Sequence, residues 1–175
     1  MSDELYSETH WVFGYGSLIY KADFPFLERL PATISGWERR FWQGSHDHRG
    51  TPDAPGRVVT LVESPGTPCA GMAYRVEEAV FEHLDHREKN GYLRFETPLQ
   101  LHGGSEVVGT VYIATEDNHA FLGPAPAGEI AAHIDRCNGP SGENREYLLH
   151  LAQALRDMDV EDAHVFELER LLAAG

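Results

Sequence analysis

The chain has 175 residues, with 14 Lys and Arg against 28 Asp and Glu, a formal charge of −14. That length suits a single domain able to bury a core without metal or disulfide support, and that charge repels phosphate backbones and anionic bilayers, so nucleic acid and membrane surfaces are excluded as general partners. No apolar run approaches the roughly 20 residues that span a bilayer, and residues 1–10 are acidic and polar, not basic and then apolar as an export signal would be. The expectation is a cytoplasmic protein with a flexible acidic arm over 1–10 and one domain over 11–175. Cys69 and Cys137 stand far apart and in no metal-ligand spacing, which reads as reduced thiols, with a single disulfide as the alternative.

In chain order, a strand is predicted over 10–15, broken by Gly14 and Gly16 into a turn. Asp23-Phe24-Pro25 has the residues of a helix start, so a short helix is expected over 26–30. A second strand follows over 33–42, then a polar loop over 43–56 with three Gly and two Pro, long enough to lie over a functional site. The β-branched run 57–63, the turn Pro65-Gly66 and the run 69–76 read as two adjacent strands. A helix over 77–89 sets Phe81, Leu84 and Glu88 on one face and ends in a left-handed Asn90-Gly91 cap. Strands over 93–101 and 107–115 are joined by His102-Gly103-Gly104-Ser105. Three helices follow, over 127–137, after Gly139-Pro140-Ser141-Gly142, and over 161–172; in the second, Tyr147, Leu148, Leu151, Leu155 and Met158 share an apolar face. Strands with one inserted helix, then helices, without βαβ alternation, make an α+β domain with a curved, mainly antiparallel sheet or partly closed barrel.

Two segments carry the chemistry. In Trp11-Val12-Phe13-Gly14-Tyr15-Gly16-Ser17-Leu18-Ile19 the glycines let backbone N–H groups approach a ligand closely, as a cradle for an anion or carbonyl; an ordinary glycine turn is the competing account. A dinucleotide fingerprint would need a small residue where Ile19 stands, and Ser17 lacks the flanking glycines of a nucleophile elbow. Such a cradle moves no protons, so an acid or base must come from elsewhere. Glu88, on the apolar stripe at the negative end of its helix, has both burial and dipole acting to raise its pKa, which suits a general base; a salt-bridged helix-end glutamate is the alternative. His83 with His86 and His46 with His48 lack the third ligand of a metal site, so no metal is expected. Arg39 and Arg40, on opposite faces of a strand, offer one guanidinium to a carboxylate, or form a charged pair at a strand edge.

Taken together these blocks resemble the ChaC family of glutathione-specific γ-glutamylcyclotransferases. The resemblance rests on Val12-Phe13-Gly14-Tyr15-Gly16-Ser17-Leu18-Ile19, Arg39-Arg40-Phe41-Trp42-Gln43-Gly44-Ser45, Asp47-His48-Arg49-Gly50 and Pro55-Gly56-Arg57-Val58-Val59-Thr60-Leu61. It continues through Leu84-Asp85-His86-Arg87-Glu88-Lys89-Asn90-Gly91-Tyr92, Tyr112-Ile113-Ala114-Thr115, Leu122-Gly123-Pro124-Ala125-Pro126 and Gly139-Pro140-Ser141-Gly142, in the family's order. It implies a cyclotransferase fold, no cofactor, and conversion of glutathione to 5-oxoproline and cysteinylglycine. It also implies a substrate loop of Val12, Phe13, Gly14, Tyr15, Gly16, Ser17 and Leu18, with Glu88 as proton acceptor and Tyr147 as a hydroxyl contact, a core tyrosine being the alternative for the last. Tyr20 stands where many relatives have tryptophan and Asn90 where many have glycine, which bears on substrate preference. Other γ-glutamyl peptides or γ-glutamylamines as substrates, or a non-catalytic γ-glutamyl-peptide binding module, are the competing functions.

Overall fold

In the computed structural model residues 8–88 and 92–174 are described, without the side chains of Glu88 and Ala174. Strands β1 (Thr9–Gly14), β2 (Glu28–Ser45), β3 (Gly56–Glu77), β4 (Leu93–Leu101) and β5 (Glu106–Ile113) close a barrel in the order β1-β3-β2-β4-β5. Every seam is antiparallel except the closing one, where Val12 of β1 lies opposite Thr110 of β5 in parallel. Helix α1 (Glu78–Glu88) sits between β3 and β4 in the chain. After β5 come α2 (Ala127–Arg136), a minimal hairpin of β6 (Asn138–Gly139) and β7 (Gly142–Glu143), α3 (Asn144–Asp157) and α4 (Ala163–Ala174). The α+β class with a mainly antiparallel barrel is therefore the observed architecture.

The long β2–β3 ribbon organises the barrel, and its alternation explains its shape. Ala32 and Ile34 point inward before a register shift between Ser35 and Trp37, and Arg39, Phe41 and Gln43 point inward after it. A one-residue irregularity reverses the parity of every later side chain, which bends the ribbon and moves Arg39 from the solvent face to the interior. Opposite the shift, residues 64–67 bow out of β3, with Gly66 at φ +82° and Ser64 Oγ 2.7 Å from Thr67 Oγ1. The Pro65-Gly66 signal is thus a bulge and not a reversal. The expected two strands are one, because both flanks pair with the same partner, Ile34 to Cys69 above and Trp37 to Glu63 below.

The helix expected over 26–30 does not form. Glu28, Arg29 and Leu30 open β2, opposite Arg75, Tyr74 and Ala73 of β3. Five residues cannot repay helix nucleation, whereas a ladder with β3 satisfies the same backbone groups cooperatively. Strand β2 also extends beyond 33–42, so only 46–55 of the predicted polar loop lies outside strands. The other elements fall within a few residues of expectation, and the Asn90-Gly91 cap lies outside the described residues. Phe13, Phe41, Tyr74, Leu99 and Ile113 pack inside the fold, while Leu148, Leu151 and Leu155 of α3 join Ile130, Ile134, Val165 and Leu168 in the same core.

Candidate active site

The loop after β1 is built on intramolecular close packing. A single 3-10 turn, Ser17–Ile19, follows Tyr15 and Gly16, closed by the Ile19 N–H donating to the Gly16 carbonyl at 2.9 Å. A Cβ at Gly14 would stand 2.4 Å from Leu18 Cβ, and one at Gly16 would stand 2.8 Å from Val59 Cγ2 and 2.9 Å from Tyr147 Oη. The close approach these glycines permit is thus to Leu18, Val59 and Tyr147. The N–H groups of Ser17 and Leu18 open the turn and have no partner within it. Val12 and Phe13 are core side chains, so they offer a ligand only backbone, while Ser17 is exposed and Leu18 half-buried.

Arg39 holds this loop from below. Its Nε donates to the Tyr15 carbonyl at 2.8 Å, its Nη1 to Asp162 Oδ2 at 2.7 Å, and its Nη2 to the Ala70 carbonyl. The guanidinium is 3% exposed and its charge is balanced by Asp162, which also caps α4 through the Val165 N–H at 3.1 Å. Arg39 is therefore occupied by the protein itself. Arg40 is half-buried and donates to Glu38 and to the Arg39 carbonyl.

A second network runs from the loop to α1. Tyr15 donates its hydroxyl to the Tyr112 carbonyl at 2.6 Å, and the Tyr112 hydroxyl donates to Asp85 Oδ1 at 3.0 Å. Arg94 on β4 pairs with the same carboxylate at 3.0 Å, and Arg87 reaches Asp23 at 3.0 Å. These contacts tie the last turn of α1, which ends at Glu88, to the loop and to β4 and β5. The side chain of Glu88 lies outside the described residues. Phe81 and Leu84, its expected neighbours on the apolar stripe, are buried.

Tyr147 of α3 closes the other side. Its hydroxyl accepts the Val59 N–H at 3.2 Å, and burial, with Tyr20 adding to it, holds its pKa well above the usual phenol value. With the oxygen engaged as acceptor, the hydroxyl keeps a proton to donate at all ordinary pH. Tyr20, just after the turn, packs edge-on to Tyr147 at 6.4 Å between ring centroids, and Arg49 lies 5.8 Å from the Tyr147 ring centre.

The structure brings together the 14–18 loop, the end of α1 and Tyr147, and of the histidine pairs His83 and His86 stand on α1 itself, on its solvent face. His83 and His86 are exposed, and His48 contacts Ser141 Oγ at 3.0 Å. Among the described residues, one group with three candidate metal ligands occurs, Glu8, His10 and Glu78 at the opposite end of α1. Its geometry is that of an ion pair, His10 Nε2 to Glu78 at 2.8 Å, which holds the Glu78 carboxyl below its usual range. Sequence reasoning missed Tyr112, Asp85 and Asp162. Their signal is contact across the fold, and only the invariably charged, inward-facing parity of Arg39 after the bulge hints at it.

Comparison with known proteins agrees with this geometry. Residues 10–174 match the family model described as ChaC-like protein. The chain is 46% identical over 170 residues to γ-glutamylcyclotransferase 2-3 of Arabidopsis thaliana, covering 90% of this chain and 85% of that one. It is 43% identical over 174 residues to glutathione-specific γ-glutamylcyclotransferase 1 of Danio rerio, covering 94% and 89%. Among solved structures, a selenomethionine-labelled γ-glutamylcyclotransferase from yeast, described as specific to glutathione, superposes with a TM-score of 0.86 at 34% identity, over 95% of this chain and 96% of that one. By sequence and by fold, the chain belongs to the ChaC-like family.

Proposed function

We propose that this chain is a γ-glutamylcyclotransferase that converts glutathione to 5-oxoproline and cysteinylglycine. The observation that carries the reading is the hydrogen-bonded path Tyr15–Tyr112–Asp85, which joins the glycine-spaced loop to the helical turn ending in Glu88. The relatives named for this activity support it.

The reaction is intramolecular. The α-nitrogen attacks the γ-carbonyl carbon and the bond from that carbon to the cysteine nitrogen breaks; the α-ammonium gives up one proton before attack and a second as it becomes the lactam N–H, and the cysteine nitrogen gains two as it leaves as an ammonium. An ammonium cannot attack, so a base must take the first of these protons; Glu88 is assigned to take it and deliver it to the leaving nitrogen. The 12–18 loop, rigidified by Arg39, holds the γ-glutamyl group in a folded, near-attack shape, where fixed orientation supplies much of the acceleration. The loop N–H groups and the permanently protonated Tyr147 hydroxyl are assigned to stabilise charge developing on the carbonyl oxygen. This chemistry uses no cofactor. Cys69 and Cys137 are unpaired and buried, which supports a reducing, cytoplasmic setting.

Incubation of the purified protein with glutathione, followed by quantification of 5-oxoproline and cysteinylglycine, tests the activity. Absence of both products with folded protein overturns it. Undiminished turnover by Glu88→Gln overturns the assigned base and leaves the activity standing.

A further inference from the structure

A cleft of about 530 Å³ runs beside the loop, between Tyr20 and Lys21 on one wall and α3 on the other, with Arg49 and Ser141 at one end. Resting on the proposed cyclotransferase activity, we infer that this cleft binds the cysteinylglycine arm of the substrate, with Arg49, assisted by Lys21, receiving the terminal glycine carboxylate.

Three observations carry this. First, the cleft starts where the reacting end of the substrate is held: Tyr20 is hydrogen-bonded back to the loop, its N–H donating to the Ser17 carbonyl at 3.1 Å, and it shares a ring contact with Tyr147. Arg49 lies 5.8 Å from the Tyr147 ring centre, within the roughly 7 Å reach of two extended residues. Second, the receiving group is built in advance. Arg49 spends Nη1 on the Glu143 carbonyl at 3.0 Å and its own N–H on Ser45 Oγ at 2.9 Å, and His48 on the same loop is tied through its carbonyl to the Ser141 N–H. Among the described residues it has no carboxylate at ion-pair distance, in a chain with twice as many acidic as basic side chains. Third, the Tyr20 hydroxyl is buried at this wall beside Arg49, whose guanidinium acts on it, and makes no hydrogen bond of good geometry. A buried, poorly satisfied hydroxyl carries a desolvation cost that a peptide group lying in the cleft would relieve.

Glu146 and Asp157 also line the cleft, and both are exposed on α3. Their hydrated carboxylates repel an anion weakly, whereas Arg49 faces it over the Tyr147 ring with its geometry already fixed. The charge arrangement thus accepts one carboxylate at Arg49, although Glu146 Oε2 and Arg49 Nη1 flank the same point beside Gly142, and disfavours additional negative charge near Glu146 and Asp157. That pattern selects a dipeptide leaving group with a single terminal carboxylate over a bare γ-glutamylamine.

The experiment compares glutathione with its glycine amide, in which the terminal carboxylate is replaced by a carboxamide, using the full-length protein, Arg49→Gln, Arg49→Lys and Lys21→Gln. Initial rates give kcat and KM, and calorimetry gives binding of both peptides. For the unmodified protein the amide is expected to lose about tenfold to a hundredfold in kcat/KM, mainly through KM, the range of a charge-assisted contact. Arg49→Gln should bring the two peptides within about threefold of each other, Arg49→Lys should keep part of the preference, and Lys21→Gln should reduce it by less. Equal use of both peptides by the unmodified protein, or an unchanged preference in Arg49→Gln, overturns the subsite while the cyclotransferase activity stands. If no product forms at all, the activity fails, and the calorimetric preference decides the subsite: retained and Arg49-dependent it stands, absent it falls.

Discussion

Arg39 Nε donates to the carbonyl of Tyr15 at 2.8 Å, so a guanidinium buried beneath the barrel mouth fixes the backbone of the loop above it. The same group is paired with Asp162 at 2.7 Å, and the two charges lie in a site where neither is well hydrated. Arg39→Met leaves Asp162 unpaired and the Tyr15 carbonyl without its donor, and is expected to cost about 3–5 kcal/mol in denaturant unfolding. Asp162→Asn, whose amide oxygen still accepts, should cost clearly less. A loss below about 1 kcal/mol for Arg39→Met would show that the pair is dispensable.

Gly16→Ala sets a methyl group 2.8 Å from Val59 Cγ2 and 2.9 Å from Tyr147 Oη. The loop and α3 must then move apart. Overpacking of this kind costs about 1–3 kcal/mol, and displacement of the substrate cradle should lower kcat/KM about 100-fold. Wild-type kinetics in Gly16→Ala would contradict the packing role.

Tyr147→Phe removes the acceptor of the Val59 N–H and the hydroxyl proton. Orphaning that N–H costs about 1–3 kcal/mol in unfolding experiments. If the hydroxyl donates to the carbonyl oxygen as proposed, its loss should lower kcat about 100-fold with little change in KM. A fall in stability without a fall in kcat would leave Tyr147 a core residue only.

Glu88→Gln keeps the size of the side chain and removes its basicity. Turnover of glutathione should drop about 10²- to 10⁴-fold, while calorimetric affinity for glutathione persists. Loss of binding along with turnover would point to a structural role for the carboxylate.

His164 gives a stability signature independent of catalysis. Its Nε2 accepts the Phe41 N–H at 3.0 Å, and burial, reinforced by Arg40, pushes its pKa down to about 4. The unfolded chain, with an ordinary imidazole near pH 6.5, binds this proton more readily than the folded one, so stability is lost as pH falls from about 6.5 to about 4. Melting temperature should decline through that window, and His164→Gln should flatten the decline. An identical pH profile in the variant would remove His164 as the cause.

The succession of β1, α1, β4, β5 and the helices α2, α3 and α4, the bounds of β4 and the start of α2, and the apolar face Tyr147, Leu148, Leu151 and Leu155 were determined by the sequence alone, because periodicity and turn chemistry act between near neighbours. Tertiary structure decided whatever depends on a distant partner. Residues 28–30 are strand because β3 offers them a ladder, and 56–77 is one strand because β2 pairs with both of its halves. Arg39 meets Tyr15 across 24 positions and Asp162 across 123, and Tyr15 reaches Tyr112 across 97. No local pattern encodes such contacts. They arise when the barrel closes, and they are what tie the glycine loop into the same network as the helix ending at Glu88.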